Sequence, residues 1–151
     1  PAEFSIVALH KATLEQIERA VEILGADNLV LLHCVAAYPP RDEDTNLMVV
    51  ETLRRVYPHV PVGYSSHSQD IFPPLVAAIL GACAIEVHLT LDRNLPGSDH
   101  QASLEPAELT ELIQQVRRFE LLRGDGVKRV LPAEVATMDK LRRVDDLFDG
   151  Q

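Results

Sequence analysis

The alternation of short apolar runs with longer amphipathic segments constrains the fold of this 151-residue chain more than any other feature. Runs of strand type occupy residues 4–9, 29–38, 60–65 and 83–91. Segments with apolar residues at helical spacing occupy residues 12–24, 45–57, 72–82 and 105–123. Because strand and helix follow one another four times, the pattern predicts an α/β fold with a parallel sheet. Thr13 and Gln16 predict a capping box at the start of the first helix.

Polar side chains near the carboxyl ends of the predicted strands single out one edge of the sheet. They are His33, Tyr38, Ser65, His67, His88 and Thr90. Four strand–helix units are half of a (β/α)8 barrel, and an open α/β sheet is the competing architecture. In both architectures ligands bind at the carboxyl edge of the sheet, so this edge is the predicted functional region.

His67, just after the third apolar run, and His88, towards the end of the fourth, are candidate metal ligands. Strand alternation puts His67 on one face with Ser65, and His88 on one face with Glu86. Two imidazoles on neighbouring strands suit a divalent cation whose other ligands are water or substrate oxygens. Two ligands make a weak pattern, and histidines satisfied at the rim of the core are the alternative interpretation.

Two other segments carry weaker candidates. In the polar loop 91–106, Asp99 and His100 have the chemistry to bind hydroxyls or transfer protons, and an ordinary turn is the favoured alternative. Lys11, at the end of the first strand, has a position suited to a Schiff-base lysine. A surface lysine that caps a strand is the simpler interpretation of Lys11.

Composition excludes one large class of partner. Fourteen Lys and Arg residues against 23 Asp and Glu give a formal charge of -9, and such a surface repels phosphate backbones. We therefore expect no nucleic-acid partner. No apolar run approaches the length of a membrane span, so we expect no membrane association and a cytoplasmic location. Cys34 and Cys83 lie in apolar runs and are predicted to be buried thiols, not a disulfide.

The two ends of the chain differ from its middle. The chain begins on Pro1 and enters an apolar run without an initiator Met, which suggests a fragment of a longer protein. After residue 123 turn residues and one helix, at roughly 133–148, replace the strand–helix pattern. The predicted organisation is a strand–helix domain over 1–123, followed by a linker and trailing helix over 124–151.

Several stretches, taken in order, resemble the sialic acid synthase (NeuB-like, N-acetylneuraminate synthase) family over about residues 5–135. They are LLHCVAAYPP, VPVGYSSHS, GACAIEVHLTLDRNLPGSDHQASLEPAEL and GDGVKRVLPAE. The resemblance implies a (β/α)8 TIM barrel, of which this chain covers about the last four strand–helix units. It also implies condensation of phosphoenolpyruvate with N-acetylmannosamine, or a related N-acyl amino sugar, to a sialic-acid-type nonulosonic acid with release of phosphate.

The resemblance also implies roles for individual residues. His67 and His88 match the family's ligands for Mn²⁺ or Mg²⁺. Ser65 matches a serine that helps to hold the phosphate of phosphoenolpyruvate, and Tyr38 and Asp99 match residues that contact the sugar. The family's catalytic glutamates and lysines lie upstream of this chain, so the chain alone is expected to be inactive. A homodimer is expected.

The chain departs from the family pattern at three places. Ala8 begins Ala-Leu-His-Lys where the family has Ser-Thr-Gly-Met, a phosphate-binding turn. Ala36 stands where an Asn or Ser is usual, and Ser66 stands where an Asp is usual. The substitutions at Ala8 and Ala36 favour an alternative function, a catalytically silent barrel fragment that acts as a binding or assembly module.

Overall fold

The computed structural model describes residues 4–141 of the chain. Its strands are β1 (Ser5–Ala8), β2 (Leu29–Cys34), β3 (Val62–Ser66) and β4 (Ile85–Val87). Its helices are α1 (Leu14–Leu24), α2 (Asp42–Thr45), α3 (Met48–Val56), α4 (Phe72–Ile79), α5 (Pro106–Arg123) and α6 (Pro132–Leu141), with a 3-10 turn at His100–Ala102. The alternation of strand and helix confirms the predicted α/β class. None of the helices in this part of the chain is long and apolar enough to cross a membrane.

The four strands form one parallel sheet in the order β1-β2-β3-β4. Its register aligns Leu31 with Val62 and Tyr64 with Ile85. The spatial order follows the sequence, without the reversal that marks doubly wound open sheets. A sequential parallel sheet is what half of a barrel requires, and closure into eight strands stays a prediction.

One face of the sheet carries the hydrophobic core. Leu31 of β2 and Tyr64 of β3 are buried there with Ile17 of α1, Leu53 of α3 and Ala77 of α4. Burying an aliphatic or aromatic side chain of this size stabilises the fold by roughly 1.5–3 kcal/mol. The core therefore fixes which residues of β3 and β4 point away from the helices, and these are the candidate site residues.

The opposite face of the sheet is open in the described residues. Ile6 of β1 is 62% exposed, and Glu86 of β4 is also exposed. A cavity of about 400 Å³ opens on this face, with Ile6, Leu32, Ala84 and Glu86 among its lining residues. Side chains in these positions point into the interior when a parallel sheet closes into a barrel. The open face therefore carries both apolar and polar side chains, and the predicted sharing of one face by His88 and Glu86 follows from the strand alternation.

Local hydrogen bonds explain where α1 begins and ends. The Thr13 N–H donates to Gln16 Oε1 at 2.9 Å, and the Gln16 N–H donates to Thr13 Oγ1 at 3.4 Å. The helix ends at Gly25, whose φ of 78° a glycine adopts without steric cost. The predicted capping box is confirmed.

Several element boundaries differ from the prediction, and three of the differences follow from local backbone geometry. The helix predicted over 45–57 is divided, because Asn46 adopts a left-handed φ of 45° between α2 and α3. The second strand ends at Cys34, because the Ala37 N–H turns back to the Val35 carbonyl at 3.0 Å. The fourth strand pairs with β3 only to Val87, beyond which the chain pairs with its own following loop.

The two cysteines occupy different environments. Cys34 is buried, as predicted, whereas Cys83 is exposed, so the prediction of a buried thiol at Cys83 is wrong. Cys83 lies two residues before β4, which is an edge strand of the described sheet. Among the described residues, no further strand lies beside β4 to cover Cys83. Both cysteines are free thiols.

The described residues from Leu122 to Leu141 belong to a second compact unit, and those up to Leu121 belong to the first. Within the second unit Arg129 Nη1 lies 2.7 Å from Asp125 Oδ2, and the Leu131 N–H donates to Glu134 Oε2 at 2.7 Å at the start of α6. The helix predicted at roughly 133–148 is described to residue 141, and 142–148 lie outside the described residues. The domain boundary predicted after residue 123 stays a prediction.

Candidate active site

The fold brings His67 and His88 together at the carboxyl edge of the sheet. The ladder between β3 and β4 has Ser66 opposite Val87 as its last pair, and each histidine is the next residue on its strand. Their ring centroids lie 5.0 Å apart, with an angle of 80° between the ring planes. The spacing along the sequence therefore corresponds to a contact in space, and the metal-binding role stays a prediction.

The surroundings of His67 determine which ring nitrogen carries the proton. His67 is only 5% exposed, and its Nδ1 lies 2.9 Å from the carbonyl oxygen of Val35. A carbonyl can only accept a hydrogen bond, so the neutral ring is protonated at Nδ1 and presents the lone pair of Nε2. This is the arrangement in which a backbone carbonyl orients a metal-ligating histidine.

The donor set fits a hard divalent cation that keeps most of its oxygen ligands from water or substrate. The described residues contain no group of three or more His, Cys, Asp or Glu side chains suited to a metal. Cys34 Sγ lies 3.9 Å from His67 Nδ1, the nitrogen that bonds the Val35 carbonyl, and burial raises the pKa of this thiol. Among the described residues, the imidazoles of His67 and His88 are the paired nitrogen donors at this edge, and their role as metal ligands stays a prediction.

Tyr38 forms one side of the histidine pair. Its ring centroid lies 4.2 Å from that of His67 and 6.1 Å from that of His88. The side chain is 47% exposed, so an apolar ring surface and a phenol group are both accessible beside the imidazoles. The ring can stack on a sugar, and the phenol can form a hydrogen bond with a sugar hydroxyl. The sugar contact of Tyr38 stays a prediction.

Ser65 and Glu86 interact on the open face of the sheet, on the strands that lead to the two histidines. Ser65 is buried, and its Oγ donates to Glu86 Oε1 at 2.7 Å. A phosphate that bound Ser65 would compete with this carboxylate for the hydroxyl. The predicted phosphate contact of Ser65 therefore requires Glu86 to release it.

In the loop after β4, His100 bonds a residue near the strand, whereas Asp99 bonds residues of its own loop. His100 Nδ1 lies 2.7 Å from Thr90 Oγ1, so this histidine is engaged by the chain that follows β4. Asp99 is exposed at the start of the 3-10 turn, where its Oδ1 accepts a hydrogen bond from Ser98 Oγ at 3.1 Å. The contacts of Asp99 lie within its own loop, and its predicted sugar contact stays a prediction.

Several other candidates lie away from the histidine pair. His33 points to the helix side, where its Nε2 is 2.9 Å from the Thr45 carbonyl oxygen. Ser66 is buried on that side, with its Oγ 3.0 Å from Ser68 Oγ. Lys11 is exposed. Ala8 pairs with Leu32 and is exposed, so the first departure from the family pattern lies on the open face.

Arg93, in the loop after β4, forms contacts that the sequence did not predict. Its guanidinium contacts the backbone carbonyls of Gln69 and Ser103 and the carboxylate of Glu108. The available signal was the unexplained arginine in the stretch LTLDRN, but nothing in that stretch shows which distant carbonyls it meets.

A sequential parallel α/β sheet with an imidazole pair and a tyrosine at its carboxyl edge defines a candidate enzyme of the α/β class. The model of the NeuB family matches residues 5–128, and the chain belongs to that family. This confirms the resemblance inferred from the sequence.

Several relatives are named as synthases of sialic-acid-type sugars. The chain is 43% identical over 129 residues to N-acetylneuraminate-9-phosphate synthase of Homo sapiens, covering 85% of this chain and 36% of that protein. It is 40% identical over 143 residues to N,N'-diacetyllegionaminic acid synthase of Campylobacter jejuni, covering 91% of this chain and 42% of that protein. The chain thus spans about two fifths of the length of these curated relatives.

The sheet is also similar to part of a solved structure. The N-acetylneuraminic acid (sialic acid) synthetase of Leptospira borgpetersenii matches with a TM-score of 0.80 and 37% identity, covering 93% of this chain and 51% of that one. The four parallel strands therefore form a curled half-barrel sheet like that of a sialic acid synthetase.

Proposed function

We propose that this chain is the carboxyl-terminal half of the catalytic barrel of a synthase that condenses phosphoenolpyruvate with an N-acyl amino sugar. In this reaction C3 of phosphoenolpyruvate forms a bond to the aldehyde carbon of the sugar. Water adds at C2, and cleavage of the C–O bond releases phosphate and leaves a nonulosonic acid. N-acetylmannosamine is the default sugar, and precursors of legionaminic, pseudaminic or spore-coat sugars are the alternatives, in keeping with the names of the relatives.

The observation that carries the proposal is the cluster of His67, His88 and Tyr38 at the carboxyl edge of the sheet. His67 and His88 would hold Mn²⁺ or Mg²⁺, with His67 contributing the nitrogen that its bond to Val35 leaves free. A cation held there supplies a Lewis acid for a carbonyl oxygen. This edge is where the active sites of (β/α)8 enzymes lie.

The remaining residues of the chain bind and orient the two substrates. Tyr38 would stack on the sugar and bond a hydroxyl, and Asp99 would accept a hydrogen bond from another hydroxyl. The Ser65 hydroxyl would donate to the phosphate of phosphoenolpyruvate once its hydrogen bond to Glu86 is broken. Holding both substrates in one geometry removes much of the entropic barrier to forming the new bond.

The other half of the site lies on barrel strands outside this chain. The family's lysines and glutamates belong to that half, so we expect the isolated chain to be inactive. The missing strands would pair with β1 and β4 and cover the open face on which Ile6 is exposed. A cytoplasmic homodimer completes the proposal.

The test is a hybrid barrel in which this chain replaces the matching part of the Campylobacter jejuni synthase that is 40% identical to it. With phosphoenolpyruvate, N-acetylmannosamine or a related amino sugar, and Mn²⁺, the hybrid should release phosphate in step with formation of a sugar acid. A His67→Ala hybrid should lose at least about 99% of the rate, as expected for a lost metal ligand. His59→Ala is the matched control, because His59 is exposed before β3, at the opposite end of that strand.

A catalytically silent binding or assembly module is the second candidate. It is favoured by Ala8 and Ala36, which lack the phosphate-binding groups usual in the family. A hybrid that folds and binds Mn²⁺ but releases no phosphate with any of the amino sugars would support the silent module and contradict the synthase.

A further inference from the structure

Arg93 lies in the loop after β4 and joins three separate segments of the first compact unit. Its Nε donates to the Ser103 carbonyl at 2.9 Å, and its Nη2 donates to the Gln69 carbonyl at 2.6 Å. The same Nη2 also forms an ion pair with Glu108 at the start of α5. The Arg93 side chain is only 29% exposed, so these bonds form in a partly desolvated setting.

The two carbonyls belong to the segments that carry the two histidines. Gln69 is two residues beyond His67, in the segment that leaves β3. Ser103 is next to Leu104, whose N–H donates to the His88 carbonyl at 2.8 Å. Arg93 is therefore a cross-link between the chain that follows His67 and the chain that is fixed to His88.

This cross-link lies where strand pairing has ended. The last paired residues of β3 and β4 are Ser66 and Val87, one position before the histidines. The spacing of two side chains beyond the end of a ladder depends on what holds the departing segments. The backbone contacts of Arg93 supply such a tie for His67 and His88.

We propose that Arg93 is a positioning residue for the histidine pair, which it holds at a spacing suited to one divalent cation. The metal-binding part of this inference rests on the proposed function, whereas the spacing part concerns the metal-free chain. Only a guanidinium has forked donors that reach two carbonyls and a carboxylate together, and a lysine ammonium lacks that geometry.

The test compares Arg93→Lys with Arg117→Lys in the full chain. Arg117 is the matched control, since it also pairs with a glutamate of α5, Glu120, at 2.8 Å but is 71% exposed. In the metal-free chain, nuclear Overhauser effects between the His67 and His88 rings should weaken in Arg93→Lys and persist in Arg117→Lys. Mn²⁺ affinity, followed by spin resonance, should fall about tenfold or more in Arg93→Lys and stay unchanged in the control.

Thermal unfolding of the same variants separates positioning from general stability. A positioning role predicts weaker ring-to-ring effects at a temperature where Arg93→Lys is fully folded. Wild-type ring contacts and wild-type Mn²⁺ affinity in folded Arg93→Lys would overturn the inference. If Arg93→Lys does not fold, Glu108→Gln replaces it, because this change removes the ion pair and weakens the hold on Arg93. Glu108→Gln is then judged by the criteria given for Arg93→Lys: weaker ring contacts and weaker Mn²⁺ binding support the inference, and wild-type values of both overturn it.

The design keeps the two proposals distinguishable. If the wild-type chain binds no Mn²⁺, the metal proposal fails, and the ring-to-ring effects in the metal-free chain still decide the role of Arg93. If the wild-type chain binds Mn²⁺ and Arg93→Lys behaves like wild type in both measurements, only the Arg93 inference fails.

Discussion

At the scale of single residues, histidines on the two faces of the sheet differ in whether a ring nitrogen is free to bind a ligand. His67 is held by the Val35 carbonyl so that its free nitrogen is available beside His88. His33, on the helix side, is buried, and its Nε2 is engaged by a hydrogen bond to the Thr45 carbonyl. The difference is one of strand parity, and it separates a candidate ligand from a structural residue.

The buried setting of His33 predicts how stability depends on pH. Burial lowers the pKa of His33 below its ordinary value of 6.5, and the Thr45 carbonyl only partly offsets that shift. Between pH 6.5 and the lowered pKa of folded His33, the unfolded chain takes up a proton that the folded chain does not, so the free energy of unfolding should fall as the pH drops through this range. Urea unfolding at pH 7.5 and 5.5 measures this.

His33→Gln is the variant that isolates the contribution of His33, since glutamine can donate to the same carbonyl but does not titrate. The loss of stability between the two pH values should be smaller in His33→Gln than in the wild type. An equal loss in both proteins would mean that His33 does not contribute to the pH dependence.

At the scale of elements, the close approach of β3 and β4 depends on the absence of a side chain at Gly63. A Cβ there would lie 2.5 Å from the Ala84 carbonyl oxygen and 2.5 Å from Leu32 Cδ2. Gly63→Ala should therefore lower the free energy of unfolding by roughly 1–3 kcal/mol, as overpacking does. Denaturant unfolding measures it, with Ser5→Ala on exposed β1 as a control that should stay within about 0.5 kcal/mol of wild type. A Gly63→Ala protein as stable as the Ser5→Ala control would contradict the claim that the close approach of β3 and β4 requires glycine at this position.

Strand parity and helix caps were predictable from the sequence because both depend on near neighbours. The alternation in GYSSH placed His67 opposite to Tyr64, and Thr13 marked the start of α1. The contacts of Arg93 were not predictable, because its acceptors include backbone carbonyls far along the chain. Cys83 was misjudged for a related reason: an apolar run does not show which strand will lie at the edge of the sheet.

At the scale of the whole molecule, the described residues form a four-stranded parallel sheet with helices on one face and an open second face. The open face carries exposed Ile6 and Glu86, and β1 and β4 are the edges of the described sheet. Exposed parallel edges are surfaces on which further strands pair. Such a sheet is what the proposed barrel needs in order to close, and the histidine pair lies at the edge where its active site would form.

The measurement that tests the central claim most directly is a Mn²⁺ titration of the chain, followed by spin resonance. The wild-type chain should bind one Mn²⁺ weakly, since two neutral imidazoles bring no charge to a hard cation. Binding should weaken on acidification, because protons compete with the metal for imidazole nitrogens. The His67→Ala, His88→Ala double variant should lose binding, and His59→Ala should keep it, with circular dichroism confirming that each variant is folded. Equal binding by the wild type and the folded double variant would contradict the account.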